Sequence, residues 1–395
     1  MASSILRSIF CGMRMSGNTW PAPPSPPKLS PPFLILPSPY EVGYKELYSL
    51  TEKKVVSIDK AAPPPAWAQG RRVKHMGCSH GWVASFNYDN RKTFLFDPIT
   101  GCHIELPDID DATEPCQYII LTSSPDSPAC RAIMHYQPSY RLAACFPAHG
   151  RGGSWLSVGG GQGHYTVVCY STRHNHLFCL FAKSVMVWTL ECWDLEYPSS
   201  LLWNAQVCFQ QDEAGSWTHT CLNYLVIDEH SDRLFLVIRF MLDLEPDDFD
   251  DDDDDDDDDD EEDDVDEEKE DEEWRSYLRR FYHKTLRFRV YEINREKGGE
   301  MRYMDGSLDG LAMFVGSNHA FALPAADFNL NPDSIYFNED GVSYIAEDGR
   351  NDDIGIYNYV NGKICSIDYY PTQKPTYSSS RIAPAMWLTP IPHYH

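Results

Sequence analysis

The chain is predicted to be all-β, a β-propeller of short antiparallel meanders with six blades, seven being the alternative, carrying a disordered acidic insertion. Three observations lead there. Apolar runs of four to six residues recur along most of the sequence, each closed by Gly, Pro, Asn, Asp or Ser. Helical periodicity is almost absent. Aromatic content is high, with 23 Tyr, 18 Phe and 10 Trp, a composition that suits strands.

The repeating unit is clearest between Gly77 and Pro107. Val83 to Phe86 and Thr93 to Phe96 read as strands about a polar turn from Tyr88 to Arg91, and Asp97-Pro98 with Thr100-Gly101 turns the chain into Ile104 to Leu106. A lone two-stranded hairpin is marginal in water, so such units must pack on one another. Upstream, Tyr48 to Leu50 and Val55 to Ile58 flank the polar Thr51 to Lys54. Downstream come Ile119 to Thr122, Ala132 to Tyr136 and Leu142 to Phe146, then a glycine-rich stretch from Gly150 to Gly163 around Trp155, Leu156 and Val158. Tyr165 to Tyr170, Leu177 to Phe181 and Val185 to Leu190 follow at hairpin spacing, then Thr220 to Ile227 and Leu234 to Phe240. Leu286 to Ile293, Met313 to Val315, Ala320 to Leu323, Ser334 to Phe337, Ile354 to Tyr359 and Ile364 to Ile367 complete the series. Units begin near residues 44, 78, 116, 163, 220, 311 and 354, uneven but around the length of a propeller blade. A sandwich would call for longer matched strands, and one barrel would not absorb so many.

Three segments are expected. Residues 1–43 hold Arg7, Arg14 and Lys28 with no acid before Glu41, Ser-rich at first and Pro-rich from Pro21 to Pro39; this reads as a disordered leader or an organelle transit peptide, mitochondrial by preference, with cytoplasm or nucleus as the alternative. Residues 44–390 form the propeller domain. Within it, 245–273 is an acidic insertion: residues 247–273 carry 24 acids and one Lys, so the net charge of −27 shrinks to −4 for everything else. Such a run repels itself and stays solvated, and loop-closure entropy rises only slowly with length. The folded part is thus nearly neutral. With no basic stripe legible in the sequence, direct nucleic-acid binding is not expected. No run of 18 apolar residues marks a membrane helix.

The 12 Cys sit singly, with no CxxC pair, and are expected to be buried thiols of a reducing compartment. His174 and His176 with Cys179 form the one group that tempts a zinc reading, although a strand can hold these residues on different faces. Ser79, His80, Asp97, His103, His319 and Asp327 are the residue types a hydrolase or metal-dependent enzyme would use, but such chemistry needs them convergent. Beside turns, they are better assigned to loop and backbone hydrogen bonds. The glycines from Gly150 to Gly163 lack a following Gly-Lys-Ser/Thr and a helix, so they are permissive loop positions and not a phosphate cradle. Trp188 and Trp193 read as sheet core, with exposed anchors as the alternative. No catalytic, cofactor or metal residue is assigned.

Gly77-Cys78-Ser79-His80-Gly81-Trp82-Val83, Leu95-Phe96-Asp97-Pro98-Ile99-Thr100-Gly101 and Ile104-Glu105-Leu106-Pro107 resemble the opening of the plant family built on domain of unknown function 295, the KIB-type β-propeller family. The likeness continues through Leu121 to Pro125, Gly163 to Tyr170 and Val187-Trp188. It returns at Phe314 to Phe321, Pro324 to Phe328 and Ser334 to Phe337, covering about Tyr44 to Trp387. The resemblance implies a plant propeller without known catalytic machinery. Many relatives carry an N-terminal F-box that recruits a ubiquitin ligase, and some are similar to proteins that restrain shaggy-like kinases. The first 43 residues are too short and proline-rich for an F-box bundle, so the chain is similar to the F-box-less, organellar branch. The expected function is noncatalytic protein binding through propeller loops, with no cofactor. The alternatives are an F-box-independent regulator of a shaggy-like kinase or ubiquitin-ligase substrate adaptor, and an unrecognised hydrolase or metal-dependent enzyme.

Overall fold

A computed structural model describes residues 32–36, 46–57, 65–68, 73–109, 118–136, 141–158, 165–182, 187–195, 200–208, 219–244, 282–316, 319–338, 353–367 and 386–388. In chain order the strands are β1 (Phe33–Ile35), β2 (Glu46–Ser49) and β3 (Lys54–Ser57); β4 (Val73–Ser79), β5 (Trp82–Asn87), β6 (Lys92–Phe96) and β7 (His103–Glu105); β8 (Tyr118–Leu121), β9 (Ala132–Tyr136), β10 (Arg141–Cys145) and β11 (Leu156–Val158). They continue with β12 (Tyr165–Ser171), β13 (His176–Ala182), β14 (Val187–Asp194) and β15 (Ser200–Cys208); β16 (His219–Asp228), β17 (Arg233–Leu244), β18 (Tyr282–Asn294) and β19 (Glu300–Tyr303). Last come β20 (Leu311–Val315), β21 (Phe321–Pro324), β22 (Ser334–Phe337), β23 (Gly355–Asn358), β24 (Lys363–Cys365) and β25 (Met386–Leu388).

Four sheets have four strands each, and a fifth has nine. The nine-stranded sheet is two blades, β16–β19 and β20–β24, joined by the single parallel pair Ile227–Phe321. That makes six blades among the described residues, as the sequence predicts. Blade one is closed by the chain's two ends, since β25 pairs with β1 and β1 with β2. Blade six departs from the simple meander because β20 pairs directly with β22 in parallel, while β21 pairs with the other edge of β20.

Both faces of a blade are covered by its neighbours, so many strands are apolar throughout instead of alternating. On β13, Leu177 and Cys179 enter the core toward blade three while Phe178 and Leu180 enter the core toward blade five. On β20, Met313 and Val315 pack toward blade five, and Ala312 and Phe314 toward blade one. Six such cores lie between six consecutive pairs of blades and close the ring.

One boundary needs correction. The leader expected over 1–43 contains β1, and Phe33, Leu34, Ile35 and Leu36 are all buried. The surrounding prolines hide this four-residue apolar run; it is central in its sheet, which no leader is, so the folded domain begins before residue 44. Residues 1–31 and the acidic insertion 245–273 lie outside the described residues, as do Gly159 to Gly163 and Asn318. No helix among the described residues is long and apolar enough to cross a membrane.

Candidate functional site

Successive antiparallel strands place their turns alternately at the two ends of the ring. One end, here the turn end, collects the short β2–β3, β4–β5, β6–β7, β12–β13, β16–β17, β18–β19 and β23–β24 connections. Several are locked by one device: an Asx or Ser side chain accepts backbone N–H groups two or three residues on, and a left-handed residue follows. Asp97 takes the N–H groups of Ile99 (2.9 Å) and Thr100 (3.3 Å) plus the Thr100 hydroxyl (2.8 Å). Asn358 takes those of Val360 and Asn361, both at 3.1 Å, and Asp228 takes that of His230 at 3.0 Å. Gly362, Gly101 and Asp232 then supply positive φ.

The β4–β5 turn is tighter. His80 (φ 52°) and Gly81 (φ 77°) adopt the left-handed pair that a two-residue hairpin requires. This carries Ser79 and His80 to the axis of the ring, just inside the turn end. Ser79 Oγ accepts the Leu121 N–H at 2.8 Å, and His80 hydrogen-bonds the Leu121 backbone. His319, on the β20–β21 connection, donates its N–H to Cys78 O at 3.0 Å. Its Nε2 accepts the Tyr170 N–H at 3.4 Å and lies 3.5 Å from Cys169 Sγ. Blades two, three, four and six are thereby tied across the axis.

This cluster has the residue types of a Cys–His dyad without the electrostatics. Burial pushes His319 down to about 3, with His80 adding to the effect, and burial likewise pushes His80 to about 4. Burial raises the Cys169 thiol well above its ordinary value. The proton therefore stays on sulfur and the imidazole stays neutral, the reverse of an activated nucleophile. Ser79, His80 and His319 converge as latches of the ring.

The other sequence candidates do not join them. Asp97 is the turn lock described above. His103 stacks on Phe96 at 5.8 Å, with Nδ1 2.8 Å from Gly101 O. Asp327 is exposed on the 3-10 turn Ala325–Phe328. His174 stacks on His176 at 5.6 Å, while Cys179 is fully buried in the core toward blade three. Among the described residues no group of three or more His, Cys, Asp or Glu side chains is arranged to hold a metal. Trp193 is buried and donates to Glu191, and Trp188 packs half-buried between blades four and five.

What sequence reasoning missed is a half-exposed polar network on the turn end of blades four to six. His174 Nε2 is 2.7 Å from Asp232, which also pairs with Arg295 at 2.6 Å. Arg233 bridges Glu292 (2.6 Å) and Asp309 (2.8 Å), and Arg302 meets Glu292 from the other side at 2.5 Å. Burial works against the Asp232 and Glu292 carboxylates, but Arg295 with His174, and Arg233 with Arg302, outweigh it and hold both below the usual range. Glu229, half-buried, accepts the Thr172 and Arg173 N–H groups, and its partial burial pushes it up. The sequence signal was there in Asp228-Glu229-His230-Ser231-Asp232-Arg233, a turn with more charge than a turn requires.

Comparison with known proteins places this geometry. The family description "KIB1-4 beta-propeller" matches residues 47–358. No curated protein matches. Among solved structures, the chain is similar to Kuenenia stuttgartiensis hydrazine synthase, at 12% identity over 68% of this chain and 64% of that one, with a TM-score of 0.36. It is also similar to the Cps50 (Swd1) β-propeller domain of Myceliophteria thermophila, at 11% identity over 66% and 79% with a TM-score of 0.33. Citrobacter koseri AztD aligns over 82% and 77% at 9% identity and a TM-score of 0.28.

Proposed function

The chain belongs to the KIB1-4 β-propeller family, and from that premise we propose that it is a noncatalytic protein-interaction propeller whose partner is recognised by the turn end of blades four to six. The observation that carries this reading is the contrast between the axis and the rim. At the axis, the residue types that chemistry would use are neutral and engaged in holding blades together. At the rim, Asp232, Arg295, Arg233, Glu292 and Arg302 present charge, with His174 hydrogen-bonded to Asp232, and the β16–β17 and β18–β19 turns there are locked by Asp228 and Asn294, so a partner would meet a preordered surface at little entropic cost.

Affinity capture with the intact chain and with a His174→Ala/Arg302→Glu variant tests this. A protein retained by the first and lost by the second supports the rim. An identical retained set in both overturns it, and turnover of a metabolite by the pure protein overturns the noncatalytic reading in favour of a hydrolase or metal-dependent enzyme.

The acid-free leader supports a mitochondrial location for that partner. A C-terminally tagged full chain is to be compared with one lacking residues 1–31, the cut stopping short of β1. Import lost on truncation supports the location; diffuse signal in both overturns it and turns the partner search to cytosolic and nuclear proteins, kinases and ubiquitin-ligase components included.

A further inference from the structure

The end of the ring opposite the turn end carries a surface that the axis and the polar rim leave unexplained. Strands β17 and β18 form the longest hairpin among the described strands, paired from Leu234–Ile293 to Leu244–Tyr282, and residues 245–281 connect them there. Near that end one face of the hairpin is basic and aromatic. Arg287 is opposite Phe240 and Arg289 opposite Ile238, with their guanidinium carbons 4.7 and 5.5 Å from the centre of the Phe240 ring. Lys284, opposite Leu242, continues the row and is exposed, as is Arg287. The neighbouring strand adds no acid, since β16 places Asn223 opposite Ile238 and Cys221 opposite Phe240. Half-buried Phe240 and Trp188 both pack at the margin of the core between blades four and five, so the basic row borders the seam between those blades.

The sequence on either side of this surface is sharply polarised. Residues 247–273 carry 24 acids against one Lys, whereas 274–289 contain Arg275, Arg279, Arg280, Lys284, Arg287 and Arg289 and no acid at all. The sequence alone does not reveal the basic row, because alternation on β18 separates Arg287 and Arg289 by the inward-facing Phe288, and only pairing with β17 assembles them around Phe240.

We propose that the Lys284–Arg287–Arg289 row around Phe240 is the docking surface of the chain's own acidic stretch, residues 247–273. Charge complementarity selects the occupant. Reach permits it: Tyr282 lies nine positions after Glu273, about 30 Å when extended, and Arg287 lies five residues along β18, about 17 Å. Tethering raises the local concentration of the acidic stretch into roughly the millimolar range, so a contact too weak to form between separate molecules is filled within one. Cation–π contact holds the two guanidinium groups against the ring and orders them before the acidic side chains arrive. The consequence is an internal competitor: any acidic ligand for this end of the ring must displace residues 247–273 first. This surface lies at the opposite end from the polar rim, so it stands or falls separately from the protein partner proposed above.

The test uses three full-length proteins: the intact chain, a chain with residues 247–273 replaced by a Gly-Ser segment of equal length, and that replaced chain carrying Arg287→Glu and Arg289→Glu. The probe is a fluorescent peptide with the sequence of residues 247–273, titrated at low and moderate salt, with thermal melts establishing that each protein is folded. Binding to the replaced chain is expected to be at least about tenfold tighter than to the intact chain, to fall at least about tenfold on reversing the two arginines, and to weaken as salt rises. Equal binding to the intact and replaced chains overturns the proposal. So does binding indifferent to the two arginines, or no binding to the replaced chain. A single-stranded oligonucleotide that binds the replaced chain more tightly than the peptide also overturns it and reassigns the surface to nucleic acid. Should the double variant not fold, Arg287→Gln with Lys284→Gln replaces it, with a loss of about threefold or more expected and no loss counting against the proposal.

Discussion

His80, His135 and His319 set the behaviour of the ring in acid. Burial lowers all three, His80 and His135 to about 4 and His319 to about 3. An imidazole whose folded value lies below its unfolded 6.5 stabilises the fold fully above pH 6.5, and that contribution is lost as pH falls toward the folded value. For His80 and His135, both buried, the loss amounts to at most roughly 3 kcal/mol apiece. Glu229 titrates in the opposite sense, since burial raises it, but one carboxyl does not offset three imidazoles. Urea midpoints measured from pH 7 to pH 4 are expected to fall steadily, and His135→Phe should flatten part of that fall; a level profile would refute the neutral latch. At this scale the sequence revealed identities but not meetings. Ser79, His80 and His319 are named readily as reactive types, yet His319 is 239 positions from His80, and only ring closure brings the two together. Asp97, of equally reactive type, is turned into its own loop by Thr100 and never reaches the axis.

The turn lock is the unit of regularity that hydrophobic spacing concealed. Blades differ in length because their long connections differ, so no fixed period survives in the sequence, whereas Asp97, Asp228 and Asn358 repeat one short-range bonding pattern. Asp97→Ala removes an acceptor of three hydrogen bonds in a buried turn and is expected to cost about 1–3 kcal/mol. Asp97→Asn retains an acceptor and should recover at least about half of that loss. Thermal melts of the two variants side by side decide it: equal destabilisation by Ala and Asn would show that the carboxylate charge, not the turn geometry, matters. Strands bounded by such turns were legible, as β5, β6, β12, β13, β16 and β17 show. The outer strands β15 and β19 were not, because Ser200, Leu201, Leu202, Asn204 and Gln206 on one, and Glu300, Arg302 and Tyr303 on the other, are exposed, and neither strand holds an apolar run of four residues. Strands β1 and β25, three residues each, were lost among prolines and polar neighbours.

Those two short strands matter most to the molecule as a whole, because they close the ring. Among the described strands β25 is paired to β1 alone, and its Trp387, fully buried, donates to Val315 O in blade six while packing edge-on against Phe314 at 5.4 Å. β1 in turn contributes Phe33 and Ile35 to the core with blade two, and Leu34, with Leu36 just after the strand, to the core with blade six. Deleting residues 1–40 would remove four buried large side chains, at roughly 2 kcal/mol each. That sum rivals the whole stability of an ordinary domain, about 5–15 kcal/mol, and it also strips β25 of its sheet partner. Deleting residues 1–31 leaves all four in place. The shorter truncation is therefore expected to melt within a few degrees of the intact chain, and the longer one to lose its cooperative transition or melt far lower, with early proteolysis after the last blade. Equal melting of the two truncations would mean that the ring closes without β1. That outcome would hand closure to contacts between blades two and six across the axis, where His319 holds Cys78, and His319→Ala in the longer truncation would then be the variant that opens it.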